Sequence, residues 1–158
     1  MSTYRLTLEY DGSDFEGWQV QAEGRRTVQG VLEAALFRVT RECVRCVGAG
    51  RTDAGVHAAA QVAHVVLATD SDPERLCAAL NGVLPGDVAV SVCERVPEGF
   101  HARFGATGKL YRYTIWNGPV PSPLRAQVST RAPCAENAST MARPIPRLPP
   151  VTTAALFS

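Results

Sequence analysis

Near its amino terminus the chain of 158 residues reads Tyr4-Arg5-Leu6-Thr7-Leu8-Glu9-Tyr10. Apolar side chains at every second position alternate with polar ones, which is the period of a half-buried β-strand. The strand ends at Asp11-Gly12-Ser13, because these residue types favour turns. A strand with one apolar face needs other elements to cover that face, and the downstream sequence supplies them.

The following elements have the order of a ferredoxin-like fold. Thr27 is a helix cap ahead of an apolar face over residues 28–39, and Asp72-Pro73 opens a second helix. Alternation predicts three further strands, at residues 43–48, 61–67 and 88–92. The sequence therefore predicts an α+β fold, a ferredoxin-like βαββαβ unit with an additional strand near residues 110–117.

The composition changes after Gly118. Residues 119–158 contain 8 of the 11 prolines, with four arginines and one glutamate, whereas residues 1–118 carry 12 basic and 14 acidic side chains. Proline lacks a backbone donor and fixes φ, so it rarely supports a helix or a ladder. We expect a folded half over residues 1–118 and a Pro-rich, disordered tail over residues 119–158.

Bulk properties exclude several classes of protein. The net charge of +1 does not indicate a nucleic-acid binder, so phosphate contacts must come from locally placed arginines. No apolar run approaches the ~18 residues of a membrane span, and no secretory signal opens the chain. A cytoplasmic location with free thiols follows. Cys43-x-x-Cys46 has no second pair, and we interpret it as buried or half-buried thiols.

The segment Gly48-Ala49-Gly50-Arg51-Thr52-Asp53-Ala54-Gly55-Val56-His57 carries the clearest chemical signal. Its glycine spacing and the strand that follows it exclude a dinucleotide loop, and the lack of a Lys-Ser/Thr ending excludes a P-loop. Glycines permit a tight bend and close approach of a bulky ligand. A nearby arginine favours the ionised form that a carboxylate nucleophile needs. Asp53 beside Arg51 is therefore a candidate covalent catalyst, the alternative being a plain turn-rich connection.

Five segments, in order, resemble the TruA-type tRNA pseudouridine synthases. They are Tyr10-Asp11-Gly12 with Gly17-Trp18-Gln19, the loop Gly50-Arg51-Thr52-Asp53-Ala54-Gly55-Val56-His57, Leu84-Pro85-Gly86-Asp87, Phe100-His101-Ala102-Arg103-Phe104 and Lys109-Leu110-Tyr111-Arg112-Tyr113. The resemblance runs from about residue 4 to residue 117. It implies the amino-terminal catalytic half of a pseudouridine synthase over residues 1–118.

The resemblance also implies a reaction. A member of this family isomerises uridine to pseudouridine in the anticodon stem-loop of tRNA, around positions 38–40, without a cofactor or a metal. Asp53 would attack the sugar of the target nucleoside, either at the anomeric carbon or through a glycal. Tyr111 would lie against the uracil, and Arg51 would take the place of the extruded base. Family members work as homodimers that share a tRNA.

Several residues have competing interpretations. His101 and Arg103 are candidate RNA contacts because they lie in a matched segment, and a core position is the alternative for Tyr111. His64, in the middle of a strand, is interpreted as structural, and His57 as a brace for the loop. Arg25 and Arg26 are either phosphate contacts or a solvated pair.

The carboxy-terminal part departs from the family pattern. Related enzymes continue into a second, similarly built half, which nothing in residues 126–158 resembles. We expect a truncated or frameshifted product with little or no synthase activity alone. The competing function is a catalytically inactive RNA-binding or subunit-pairing fragment. The third predicted strand carries no aromatic residue, which argues against the RNA-binding mode of an RRM domain.

Overall fold

The computed structural model describes residues 1–21, 24–116, 120 and 151–154. The chain divides into two compact units, Met1–Ala106 and Thr107–Ser158. The elements of the first unit are β1 (Ser2–Tyr10), α1 (Val28–Thr40), β2 (Val47–Gly48), β3 (Ala58–Leu67), α2 (Pro73–Asn81) and β4 (Val88–Val96).

The four strands form one antiparallel sheet in the order β2-β3-β1-β4. Leu6 of β1 is paired with Ala63 on one side and with Cys93 on the other. A βαββαβ chain with this strand order is the ferredoxin-like arrangement, so the predicted fold class is confirmed. The first strand, which the alternating segment predicts, is central and has a neighbour on both sides.

The two faces of the sheet differ as the alternation in β1 predicts. Tyr4, Leu6 and Leu8 are fully buried, together with residues of both helices: Leu32, Leu36 and Leu80. Fully burying one such leucine contributes roughly 1.5–3 kcal/mol. Arg5 points to the opposite face, where it forms an ion pair with Glu94. The helices therefore cover one face only.

The helix boundaries agree with the cap residues read from the sequence. The Thr27 hydroxyl accepts the Gly30 N–H at 3.3 Å, and the Asp72 carboxylate accepts the Arg75 N–H at 2.9 Å. Helix α1 ends where Arg41 adopts a left-handed conformation with φ 63°. Both predicted helices are confirmed.

The second strand is shorter than residues 43–48. The Cys46 N–H donates to the Glu33 carboxylate and its C=O accepts from the Gln29 amide, both at 2.9 Å. Because α1 side chains take these backbone groups, Cys46 cannot pair in a ladder and β2 begins at Val47. Cys46 is buried and Cys43 is exposed. Burial, reinforced by Glu33, raises the pKa of the Cys46 thiol, which keeps it protonated.

In the second unit, β5 (Tyr113–Trp116) pairs antiparallel with β6 (Val151–Ala154). Strand β5 lies within the predicted fifth strand. Strand β6 differs from the prediction of a tail without regular structure, because these four residues contain no proline and three are β-branched. Apart from Val120, the rest of residues 119–158 lies outside the described residues, and the predicted boundary after residue 118 stays a prediction.

Within the described residues, no helix combines the length and the apolar character that a membrane crossing requires.

A side chain of α2 covers the outer edge of β4 at one position, Val90. The Asn81 amide donates to the Val90 C=O at 2.8 Å, and its oxygen accepts the Val90 N–H at 2.9 Å. Asn81 therefore imitates a neighbouring strand at this point. Edge strands with free backbone groups invite pairing with other chains, so the contact also protects the sheet from association.

Replacing Asn81 with Ala removes both hydrogen bonds. We expect the free energy of unfolding to fall by about 1–2 kcal/mol, with more self-association at high concentration. Urea titration and sedimentation would measure the two effects. Arg75→Gln on the same helix is the matched control, and equal stability of the two variants would contradict the role of Asn81.

Candidate active site

The loop that carries Asp53 joins β2 to β3 and is anchored along its first residues. The Ala49 N–H donates to the Val62 C=O at 2.7 Å, and the Gln61 side-chain amide donates to the Gly50 C=O at 2.9 Å. These bonds extend the pairing of the two strands beyond Gly48. The loop therefore leaves the sheet with a defined direction.

The segment after β1 holds the middle of the loop. The Trp18 N–H donates to the Thr52 C=O at 2.9 Å, and the Gly55 N–H donates to the Phe15 C=O at 3.1 Å. The Tyr10 and Thr52 hydroxyls are 2.8 Å apart, in hydrogen-bond contact. Backbone contacts on both sides of Asp53 thus restrain its position without using its side chain.

Two glycines permit this close approach. A Cβ on Gly12 would lie 2.0 Å from the Val56 carbonyl oxygen, and a Cβ on Gly17 would lie 2.6 Å from that of Thr52. Gly17 also has φ 96°, a conformation that L side chains rarely adopt. No other residue fits either position without moving the loop.

An ion pair connects the matched segment that ends at Asp87 to the segment that follows β1. Arg26 donates two hydrogen bonds to the Asp87 carboxylate, at 2.7 and 3.0 Å, and its guanidinium carbon lies 4.0 Å from the centroid of the Phe15 ring. The Asp11 N–H donates to the Asp87 C=O at 3.0 Å. The hydrogen bonds from Arg26 lower the pKa of Asp87. Arg26 is therefore engaged within the protein.

Arg25 and His57 have different partners in the structure. Arg25 forms a long ion pair with Glu16 at 3.6 Å, and both side chains are about half exposed. His57 Nδ1 lies 3.2 Å from the Gly12 nitrogen and 3.0 Å from an Asp11 carboxylate oxygen. It accepts the Gly12 N–H in one tautomer and donates to Asp11 in the other. His57 thus links the end of the loop to the turn after β1, as the interpretation of a brace requires.

Asp53 and Arg51 face solvent from this hydrogen-bonded loop. Both side chains are exposed, and within the described part of the chain neither takes part in a hydrogen bond or an ion pair. Arg51 therefore does not pair with the Asp53 carboxylate here, although both project from one short segment. An exposed, aimed carboxylate with no partner of its own is available to a ligand.

The segment at residues 100–104 packs elsewhere on the sheet. The Ala102 N–H donates to His64 Nδ1 at 3.1 Å, and the His64 and His101 rings are 4.7 Å apart. Burial, followed by the charge of His101, lowers the pKa of His64 and favours the neutral form that accepts a hydrogen bond. His64 thus has a structural position. Among the described residues, no hydrogen bond, ion pair or ring contact links the segment to the loop of Asp53.

Two other predicted site residues are exposed. Arg103 lies in the same turn as His101, and its side chain faces solvent. Tyr111 belongs to the second unit, ahead of β5, and is 37% exposed. Tyr111 is therefore not a buried core residue in the described structure, and its contact with substrate stays a prediction.

Sequence reasoning missed the supporting residues Tyr10, Phe15 and Trp18, all buried, and the pairing of Arg26 with Asp87. The signal for the aromatic residues was present, since they lie in or between matched segments. The ion pair spans 61 positions, and no local pattern reveals such a contact.

An open hollow of about 490 Å³ lies beside the end of β1 and the starts of β3 and β4, and its lining includes three carboxylates, those of Glu9, Asp11 and Asp87. These charges make the hollow unsuited to phosphate.

No three metal-binding side chains come together anywhere in residues 1–21 and 24–113, where side chains are described.

Comparison with known proteins supports the resemblance. A family model described as tRNA pseudouridine synthase matches residues 7–105. The chain is 54% identical over 120 residues to tRNA pseudouridine synthase A of Solidesulfovibrio magneticus, which covers 75% of the chain and 44% of that protein. It is 46% identical over 145 residues to tRNA pseudouridine synthase A of Roseiflexus castenholzii, covering 92% and 53% respectively. The chain spans about half the length of these curated relatives.

The packing of Gly12 can be tested by substitution. Gly12→Ala should lower the free energy of unfolding by about 2–4 kcal/mol, because the new methyl group clashes with backbone. Amide hydrogen exchange at Trp18 and Gly55 should accelerate as the loop moves away. Gly86→Ala is the matched control, since a Cβ there meets nothing within 4 Å. Unchanged exchange in Gly12→Ala would contradict the close packing of Gly12 against the loop.

The ion pair of Asp87 predicts a pH dependence. The pKa of Asp87 is lower in the folded chain than in the unfolded one, so its contribution is complete above about pH 4 and is lost as the pH falls through the folded pKa. Asp87→Asn should therefore lower the melting temperature most near pH 7, and the difference from the parent should narrow below about pH 4. Glu98→Gln, at an exposed position, should show no such trend. A constant difference across pH would contradict the assignment.

Proposed function

The chain belongs to the tRNA pseudouridine synthase family, and on that premise we propose that it isomerises uridine to pseudouridine in tRNA with Asp53 as the nucleophile. The proposed catalytic half is residues 1–118.

The convergence of separate matched segments on one loop supports this proposal most strongly. The turn after β1 contacts the loop through Gly12, and the second part of the same matched segment contacts it through Gly17 and Trp18. The segment ending at Asp87 joins them through the Asp11 N–H. The contacts of Gly12, Gly17 and Trp18 restrain the backbone around Asp53 and leave its carboxylate exposed. A mere connection between two strands would not need so many restraints.

The chemistry suits a positioned carboxylate. The glycosidic bond between N1 of uracil and the ribose breaks, the detached base turns, and a bond forms between C5 and the same carbon. The hydrogen of C5 is lost as a proton and N1 gains one, so uridine and pseudouridine are isomers and no oxidant is consumed. Asp53 acts either by bonding to the anomeric carbon or by taking a proton from the sugar to give a glycal. A preset position lowers the entropic part of the barrier in both routes.

The other predicted site residues extend the proposal to the substrate. Arg51, exposed on the same loop, occupies the space of the uridine that leaves the helix. Tyr111 stacks on the target uracil, and Arg103 contacts phosphate, with His101 beside it. The resemblance alone supports the anticodon stem-loop, positions 38–40, as the target, and a cytoplasmic homodimer as the working form.

A second candidate function is binding of tRNA, or pairing with another subunit, without catalysis of the reaction. The discriminating measurement is pseudouridine formation, since binding occurs in both cases.

Asp53→Asn should abolish turnover, lowering it by at least about a thousandfold, because the amide keeps the shape but is not nucleophilic. The affinity for tRNA should stay within about threefold, since phosphate contacts dominate it. Nucleoside chromatography of digested tRNA would measure turnover. The assay uses the chain itself and a chimera in which it replaces the matched 120 residues of the Solidesulfovibrio protein.

Glu98→Gln in the same chimera is the control for the loss of one carboxylate. Turnover of Asp53→Asn close to that of the parent would exclude Asp53 as the nucleophile. A parent that binds tRNA tightly but forms no pseudouridine would favour the non-catalytic function.

A further inference from the structure

The Phe104 side chain is 80% exposed, whereas Phe15 is 3% exposed. An exposed phenylalanine is unfavourable in water, and a mobile one would turn toward neighbouring apolar groups. Its position is therefore informative if the backbone holds it outward.

The turn at residues 101–105 does hold it outward. The Phe104 N–H donates to His101 Nδ1 at 3.2 Å, and the Gly105 N–H donates to the His101 C=O at 2.8 Å. Ala102 is buried, and its N–H is bound by His64. The turn is thus tied to β3 on one side and closed on itself on the other, which fixes the backbone from which the Phe104 side chain projects.

The ring of Phe104 ends a column of aromatic rings. It stacks on His101 with centroids 4.2 Å apart and an interplanar angle of 24°, and His101 in turn contacts His64 at 4.7 Å with the rings tilted by 55°. The ring contacts within the described chain occupy one face of Phe104 and leave the other open. A flat ring could continue the column there, as bases do on the aromatic side chains of RNA-binding proteins.

The surroundings of Phe104 favour a nucleobase over a protein surface. Arg103 is exposed, and no ion pair with a described residue engages it. Gly105 and Ala106 are also exposed, so the chain neighbours of Phe104 add little apolar surface of the kind that marks protein interfaces. A ring for the base and a cation for the phosphate form a pair suited to single-stranded RNA.

We propose that Phe104 is a stacking platform for an unpaired base of the tRNA, with Arg103 on the adjoining phosphate and His101 as the ring beneath. The inference rests on the proposed function, because it takes tRNA as the ligand. It also changes the predicted role of His101, which acts through Phe104. Stacking does not distinguish one base from another, so the platform positions RNA without reading its sequence.

Fluorescence anisotropy with this chain and a labelled, unmodified anticodon stem-loop RNA tests the proposal. Phe104→Ala should weaken binding by about 5- to 100-fold, while Phe104→Trp should stay within about threefold of the parent. The slope of log affinity against log salt should be unchanged in Phe104→Ala and should decrease by about 1 in Arg103→Ala. Thermal melts confirm that each variant is folded.

Two controls separate stacking from general effects. Phe37→Ala removes a ring that is 44% exposed on α1, and it should leave affinity unchanged. A fully paired RNA duplex offers no free base, so Phe104→Ala and the parent should bind it equally.

Equal affinity of parent and Phe104→Ala for the stem-loop would overturn the stacking role and leave the proposed function standing. Equal losses on stem-loop and duplex would also overturn it, as would self-association of the parent that Phe104→Ala abolishes, because Phe104 would then be a protein contact. A parent that binds no RNA would count against both proposals. Loss of turnover in Asp53→Asn is independent of all these results.

Discussion

The pairing of β1 on both sides is the constraint from which the site follows. Tyr10, its last residue, is opposite Ala58 at the start of β3 and Val88 at the start of β4. In an antiparallel sheet the end of one strand lies beside the beginnings of its neighbours. Three connections therefore meet at one end of the sheet: the turn after β1, the loop that enters β3 and the turn that enters β4.

At this end of the sheet, backbone groups restrain the loop, and the side chains of Asp53 and Arg51 remain available to a ligand. Carbonyl and N–H groups of the loop at residues 49–57 make most of the restraining contacts, and the glycines at 12 and 17 let the two segments approach. Asp53 and Arg51 consequently keep their side chains free. A loop held by its own functional side chains would have to release them before it could bind a ligand, at a cost in free energy.

The face of the sheet away from the helices carries a second group of contacts, around His64. His64 lies opposite Arg5 of β1, and directly paired residues share a face. The turn at residues 101–105 covers His64 there, which explains how a histidine is buried outside the main core. Because burial keeps this ring neutral, it can accept the Ala102 N–H and support the column that ends in Phe104.

Local physics in the sequence determined the strand and helix order, since the alternation at residues 4–10 and the caps Thr27 and Asp72 depend only on near neighbours. It also singled out Asp53, because glycines around an Arg-Thr-Asp segment have no other evident purpose. Tertiary structure alone decided that Arg26 pairs with Asp87, that Cys46 leaves the ladder for Glu33, and that Phe104 is held in solvent. Each of these three features depends on groups that are distant in the chain or on the depth of burial. Neither distance along the chain nor burial depth produces a periodic pattern in the sequence.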